Sequence, residues 1–404
     1  VEESPSSQTL AISRKVRNAL EQASWIRRMF EEGMRLKALY GPEGVYDLSL
    51  GNPVLEPPPE FHRLLLQVAQ NPPLGLHRYM PNAGFPESRA AVADYLRRRT
   101  GLPFTFEDVV MTCGAGGALN VALKAILDPG DEVLVLAPYF PEYPFYIDNH
   151  GGVARIVPTD ASFQPDPERI FHALTPRTRA LILNSPNNPT GVVYTPQALE
   201  GVAEALRRGE ARFGRPIYLL SDEPYSHLVY NGGKAPSPLP FYPRTIVVTS
   251  FSKDLSLAGE RIGYLAVHPF CPSKGEVVDA CIFANRVLGF VNAPALMQFL
   301  VRFLLDTPVA LEWYQRRRDR LYTALVEMGY RVVKPGGAFY LFPRSPIPDD
   351  IAFVQRLQRE RVLVVPGSGF GAPAHFRIAY CVEERVIEGA LEGLRRVARE
   401  VGLG

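Results

Sequence analysis

The sequence predicts an α/β protein: a large domain with a mainly parallel sheet covered by helices, joined to a smaller α+β domain. Three observations point there. From about residue 105 to 250, short strands that are apolar on both faces alternate with helical stretches, as in a parallel sheet buried on two sides. Beyond about residue 310 the order becomes one helix, a run of short strands and a closing helix. Finally, 404 residues are too many for one small core. The expected division is an N-terminal arm and helix over 1–54, packed on the small domain, a large domain over 55–300 and a small one over 301–404.

Taken in order, residues 1–12 are polar and predicted to be loose. Val16, Leu20, Trp25, Met29, Leu36 and Leu39 place an apolar stripe on a single helix over 14–39. Pro57–Pro59 is a stiff connector, followed by helices at 60–70 and 86–99. Strands are expected at DVVMTC (108–113), EVLVLAP (132–138), VARIVP (153–158), RALILN (179–184), PIYLLSD (216–222) and TIVVTS (245–250). Helices at 116–127 and 197–209 fall between them. WYQRRRDRLYTALVEMG (313–329) is a helix, and YRVVKP, AFYLFP, RVLVVPG and HFRIAYCV read as strands. The closing helix, 383–402, aligns Val386, Ile387, Ala390, Leu391, Leu394, Val397 and Val401 on one face.

Composition narrows the function classes. Apolar residues make up 46% and charged residues 21%, ordinary for a soluble globular protein. A net charge of +2 argues for neither nucleic acid nor an anionic membrane. The RRRDR run (316–320) reads as a solvated helix face. The longest apolar stretch, VLGFVNAPALMQFLV (287–301), is interrupted by Asn292, Pro294 and Gln298 and is too short for a membrane span. The first ten residues show no secretory pattern. Cys113, Cys271, Cys281 and Cys381 form no CxxC pair and no metal-spaced cluster, which suits a reducing cytoplasm.

The chemistry gathers just past the carboxyl ends of the strands, where open α/β sheets bind ligands. In TCGAGGALN (112–120), bare amides of Ala115, Gly116 and Gly117 at a helix start suit a phosphate, although a tight turn would need the same small residues. The stretch half-matches a dinucleotide fingerprint, but Leu119 occupies the third glycine position. Phe140 in APYFPEY could cover a planar ring or simply join the core. NSPNNPTGVVY (184–194) is a rigid loop that presents Asn188. In SDEPYSHLVY (221–230), Asp222 needs a cationic partner and Tyr225 lies within reach of the same ligand. In SFSKDLSLAGERIGY (250–264), Lys253 ends a buried strand. It is either a lysine reaching water or an amine that forms a Schiff base, with Ser250 and Arg261 beside the phosphate cradle. One ligand suits all the parts: a phosphate, a phenolic oxygen, a protonated ring nitrogen and an aldehyde. That ligand is pyridoxal phosphate.

The order NPTG, SDEPY, SFSK with AGERIGY, then FRIAY resembles the fold-type I, class I/II aminotransferases of the aspartate aminotransferase superfamily, from LSLGNP (48–53) to the last helix. The resemblance implies a seven-stranded type of sheet and transfer of an amino group between an amino acid and a 2-oxo acid. It implies that Lys253 forms the Schiff base and moves the proton, and that Asp222 keeps the pyridine nitrogen protonated. Asn188 and Tyr225 would bond the phenolic oxygen, and Phe140 would stack on the ring. Ala115, Gly116, Ser250 and Arg261 would bind the phosphate. Tyr79 in HRYMPNAG would reach the phosphate of a partner subunit, which implies a homodimer. Gly51 would lie near the substrate carboxylate, and Arg377 in HFRIAY would clamp it. No role falls to Ser252.

Some aspartate-specific relatives carry a second cation for the side-chain carboxylate. Gly116 stands at one of the places where it occurs, and Arg286 lies near the other but reads better as a structural ion pair. Two rival readings remain: a β-eliminating lyase or decarboxylase on the same scaffold, and a ligand-sensing domain of a transcription regulator. The second needs a helix-turn-helix module, for which 1–50 is too short.

Overall fold

Seven strands form the central sheet. Their spatial order is Val109–Thr112, Gly263–Val267, Thr245–Ser250, Tyr218–Asp222, Thr178–Asn184, Glu132–Ala137 and Val153–Pro158. The structure, a computed structural model, describes residues 12–21 and 25–403, with backbone alone at 21, 25–28 and 30. All neighbours pair in parallel except those of Gly263–Val267, which runs antiparallel to both. Burial follows position. Val109–Thr112, Tyr218–Asp222 and Gly263–Val267 are buried at every residue, whereas the edge strand Val153–Pro158 is partly solvated.

The sequence reading missed Gly263–Val267, because GYLAV follows directly on the polar Lys253 loop. The strand is specified by a close approach. A Cβ at Gly263 would collide with the Thr249 carbonyl oxygen and the Gly114 backbone, so only glycine lets the strand pass the start of helix Gly114–Ile126. Also unforeseen were the helices Tyr143–Asn149, Pro167–Ala173, Lys274–Val287, Ala295–Val301 and Asp350–Arg359.

The C-terminal part packs the helices Leu311–Glu327, Asp350–Arg359 and Glu384–Glu400 around a three-stranded antiparallel sheet. That sheet is formed by Val365–Pro366, Phe376–Ala379 and Tyr340–Leu341. The closing helix buries Ile387, Ala390, Leu391, Leu394 and Val397 on its inner face. YRVVKP forms no strand. The RRRDR run is not uniformly solvated: Arg318 is buried over the Tyr230 ring and donates to the Pro335 carbonyl.

The expected single helix over 14–39 is two, Arg14–Glu21 and Trp25–Tyr40. In the second, Met29 and Leu36 are buried, and Leu36 packs with Val45 and Leu363. Val16, Leu20 and Leu39 are exposed, and Lys15 of the first helix pairs with Asp148 in the large part. The expectation for 1–12 lies outside the described residues except at its last position, and so does the Trp25 side chain. Tyr46–Asp47 pairs with Val362–Leu363, which ties the N-terminal segment to the C-terminal part. Among the described residues no helix is long and apolar enough to cross a membrane.

Candidate active site

A cleft of about 270 Å³ opens past the carboxyl ends of the central strands, closed on one side by Tyr340 and Arg377 of the C-terminal part. Gly51, Ala115, Gly116, Phe140, Asn188, Asp222, Tyr225, Ser250, Lys253, Arg261 and Arg377 all line it. Gly117, offered with Ala115 and Gly116 for the phosphate, does not line it, and neither does Tyr79. Its side chain is 91% exposed, away from the cavity of its own chain.

The strand Tyr218–Asp222 delivers Asp222 to the cavity floor, where burial pushes its carboxyl up to about 7 and the Glu223 charge adds to the rise. The Tyr143 hydroxyl opposes that shift by donating to Oδ2 at 2.5 Å. Oδ1 has no partner although it is buried. A desolvated carboxylate with one satisfied oxygen and one orphan calls for a cationic donor at that spot. A protonated pyridine nitrogen meets the requirement and would pull the carboxyl back down.

The rigidity of NSPNNPTG has a visible cause. The Asn187 side-chain oxygen accepts from the Thr190 amide and hydroxyl, at 3.1 and 2.8 Å. Asn184 Oδ1 accepts from the Asn188 amide at 2.8 Å. Asn188 Oδ1 in turn accepts from Arg377 Nη1 at 3.0 Å, which leaves the Asn188 Nδ2 hydrogens for a ligand.

Arg377 is wholly buried in the strand Phe376–Ala379. Nη2 donates to the Ser49 carbonyl, Nε is buried without a partner, and the guanidinium lies between the Tyr340 and Phe370 rings, 4.7 and 4.8 Å from their centroids. Its hydrogen-bond partners are neutral oxygens, so burial pulls its pKa down, against the pull of the Tyr340 and Tyr225 phenols. A guanidinium in that state is a waiting site for a carboxylate.

Lys253 follows Thr245–Ser250, and its Nζ donates to the Gly51 carbonyl at 2.7 Å. Burial lowers its pKa to about 8, with Arg377 and Arg261 lowering it further against the opposing Cys381. Its Nζ is held inside the cleft rather than in bulk water, and the amine is closer to its neutral, nucleophilic form than a solvated lysine. A Cβ at Gly51 would overlap the Tyr340 phenol, so that approach requires glycine. Tyr225 and Tyr340 exchange a hydroxyl hydrogen bond of 2.9 Å.

The helix Gly114–Ile126 points its first turn at the cavity, with Ala115 and Gly116 in the lining and the Arg261 guanidinium beside Gly114. Its unpaired amides and dipole favour an anion. Three cations line the cleft (Lys253, Arg261 and Arg377) against the single carboxylate of Asp222. The donor set fits a ligand with a phosphate, a cationic ring nitrogen and an amine-reactive carbon, together with a second molecule bearing a carboxylate.

The sequence reading missed Tyr143, Tyr146, Asn184 and Tyr340, all in the lining. Tyr143 stands in the quoted APYFPEY stretch, but its link to Asp222 spans 79 positions, and only the fold makes it. Phe140 meets Tyr143 edge-on with centroids 5.5 Å apart. Arg286 makes no ion pair among the described residues, contrary to expectation. It is exposed, lies over the Phe283 ring and stands outside the cavity.

Known proteins place the chain in a family. The family model for aminotransferase class I and II matches residues 43–394. The aspartate/prephenate aminotransferase of Thermus thermophilus is 40% identical over 337 residues, covering 80% of this chain and 84% of the relative. The aspartate aminotransferase of Geobacillus stearothermophilus is 32% identical over 80% of this chain and 84% of its own. A crystal structure of an aminotransferase from Eubacterium rectale superposes with a TM-score of 0.93 at 35% identity, over 97% of this chain and 100% of the other.

Proposed function

The chain belongs to the class I and II aminotransferases, and from that premise we propose how its own residues divide the work. It is a pyridoxal-phosphate-dependent transaminase that moves an amino group between an amino acid and a 2-oxo acid. When bound, the cofactor supplies an aldehyde that takes amines and a ring that withdraws electrons from the substrate Cα.

The Ala115 and Gly116 amides, with Ser250 and Arg261, hold the phosphate. Asp222 Oδ1, with Oδ2 fixed by Tyr143, would hold the ring nitrogen in its protonated form. Asn188 Nδ2 and the Tyr225 hydroxyl would hold the cofactor's phenolic oxygen, and Phe140 would lie against its ring. Arg377 grips the substrate α-carboxylate beside Gly51 and so fixes the direction of the Cα–H bond. Lys253 Nζ takes the Cα proton as general base and gives it up as general acid, and a pKa of about 8 suits it to both tasks.

The observation that carries this reading is a pair of orphans on one cavity: Asp222 Oδ1, short of a cation, and Arg377 Nε, short of an anion. The relatives are named for transamination, and nothing in them supports the lyase or decarboxylase alternative.

We also propose a homodimer, because the exposed Tyr79 is free to enter the cavity of a second copy. The three segments, 1–54, 55–300 and 301–404, are taken as arm, large domain and small domain. All four cysteines are free thiols, and we place the chain in the cytoplasm on that ground.

The test is an absorbance scan of the purified holoprotein as single amino acids are added without any oxo acid. A near-visible band that gives way to a shorter-wavelength one is expected, and Lys253→Ala abolishes the change. Pyruvate and ammonia accumulating under an unchanged band would mean a lyase. The same scan ranks donors. Preference for an acidic donor would require a cation from outside the described lining, whose three cations already have tasks.

A further inference from the structure

Behind the Lys253 loop lies a second, polar cluster. A cavity of about 20 Å³ backs onto the active-site cleft, sharing Pro224 and Ser250 as wall residues. Tyr225 and Lys253 line the cleft, whereas His227 and Asp254, two and one positions further on, line the rear cavity. Each of the two turns that end a central strand thus shows one side chain to the cleft and another to the back.

At the back the two turns are tied together. His227 Nδ1 stands 2.9 Å from Asp254 Oδ2. On its other side, His227 Nε2 meets the Tyr95 hydroxyl, which accepts from Arg99 Nη1 at 2.5 Å. Arg99 also reaches the Ser226 carbonyl. Tyr95 and Arg99 are four positions apart, on one face of helix Pro86–Thr100.

The partners fix one direction: the Asp254 carboxylate can only accept, so the imidazole donates to it from Nδ1, while Nε2 faces the Tyr95 hydroxyl. The other Asp254 oxygen accepts from the Leu255 amide at 2.9 Å, so both ends of the carboxylate are fixed.

We infer that His227 and Asp254 are positioning residues for the transfer reaction. Their hydrogen bond locks the turn bearing Tyr225 to the turn bearing Lys253, with Tyr95 and Arg99 holding the imidazole. The inference rests on the reading of Lys253 as the cofactor-bearing amine. Neither residue touches the cleft, so each acts through the placement of its neighbour. Displacing a reacting amine by about 1 Å costs up to roughly a hundredfold in rate.

The test compares holo His227→Ala, His227→Asn and Tyr95→Phe with the wild type. It measures kcat and KM for an amino donor, the affinity of the apoprotein for pyridoxal phosphate, and Tm. His227→Ala is expected to lower kcat by about ten- to a hundredfold, with KM for the donor nearly unchanged, and to weaken cofactor binding by about tenfold. In His227→Asn the amide nitrogen takes the place of Nδ1, and both losses are expected to recover to within about threefold of wild type. An effect on Tm alone, or equal losses in the Ala and Asn variants, would overturn the inference. If His227→Ala does not fold, Tyr95→Phe decides. It removes one hydroxyl, and a several-fold loss of kcat at constant KM supports the lock, whereas wild-type kcat and cofactor affinity overturn it. A wild-type chain that shows no cofactor band would overturn the Lys253 reading itself, and the inference with it.

Discussion

Asp222 shows how one side chain couples folding to the site. In the folded apoprotein its carboxyl titrates near 7 because it is buried, while in the unfolded chain it titrates near 4. Between those values the folded state holds a proton that the unfolded state has released, so stability falls as pH rises through the window. The stabilisation is complete below the unfolded value and gone above the folded one, on the order of 4 kcal/mol at most. Asp222→Asn carries no such proton. Thermal melting of the apoproteins from pH 5 to 7.5 should therefore show wild type losing Tm relative to the Asn variant as pH rises. Parallel curves would mean that the carboxyl is not shifted. The holoproteins should reverse the ranking, since only the carboxylate gives the ring nitrogen a counter-charge. That Lys253, Asp222, Asn188 and Arg377 share one cleft was legible, the first three from motifs at strand ends and Arg377 from the family resemblance. Tyr143, which braces Asp222, was not, since its contact depends on the short helix Tyr143–Asn149 lying over a strand end 79 positions away.

At the scale of elements, legibility tracked periodicity and burial. The parallel strands were found because each is a short apolar run bounded by polar or turn residues, and the closing helix because its stripe repeats at helical spacing. Gly263–Val267 escaped because glycine opens it and a functional loop precedes it, so local propensity says turn where tertiary contact says strand. That strand also sets the start of helix Gly114–Ile126, proposed to cradle the phosphate, since Gly263 presses against Gly114. Gly263→Ala should cost about 3 kcal/mol, near the upper end for overpacking, because the obstructing atoms are backbone. It should also weaken cofactor binding, because the helix start must move. Chemical denaturation and a cofactor titration check both effects, and wild-type values would show that the contact has slack. Arg318 makes the same point: a basic run looked solvated until the fold turned one member inward over Tyr230.

For the whole molecule, the decisive question is whether one chain completes its own site. Eleven of the twelve residues given a role by the resemblance line the cleft, whereas Tyr79 stands 91% exposed on a segment that Asn82 and Gln298 pin to the body of its own chain. A pinned segment cannot swing inward, so the Tyr79 phenol serves either another copy or nothing. Subunit mixing separates these cases. If the chain pairs as proposed, Lys253→Ala dimers lack the amine in both sites and Tyr79→Ala dimers lack the phenol that a partner would lend. In an equal mixture about half of the dimers pair one of each, and in those the intact Lys253 site receives the intact Tyr79, so about a quarter of all sites become complete. Turnover measured at subsaturating pyridoxal phosphate should then rise above the mean of the two parents towards about a quarter of wild type. A mixture that stays at the parental mean would show that Tyr79 makes no contribution across an interface, and the site would have to be regarded as complete within one chain.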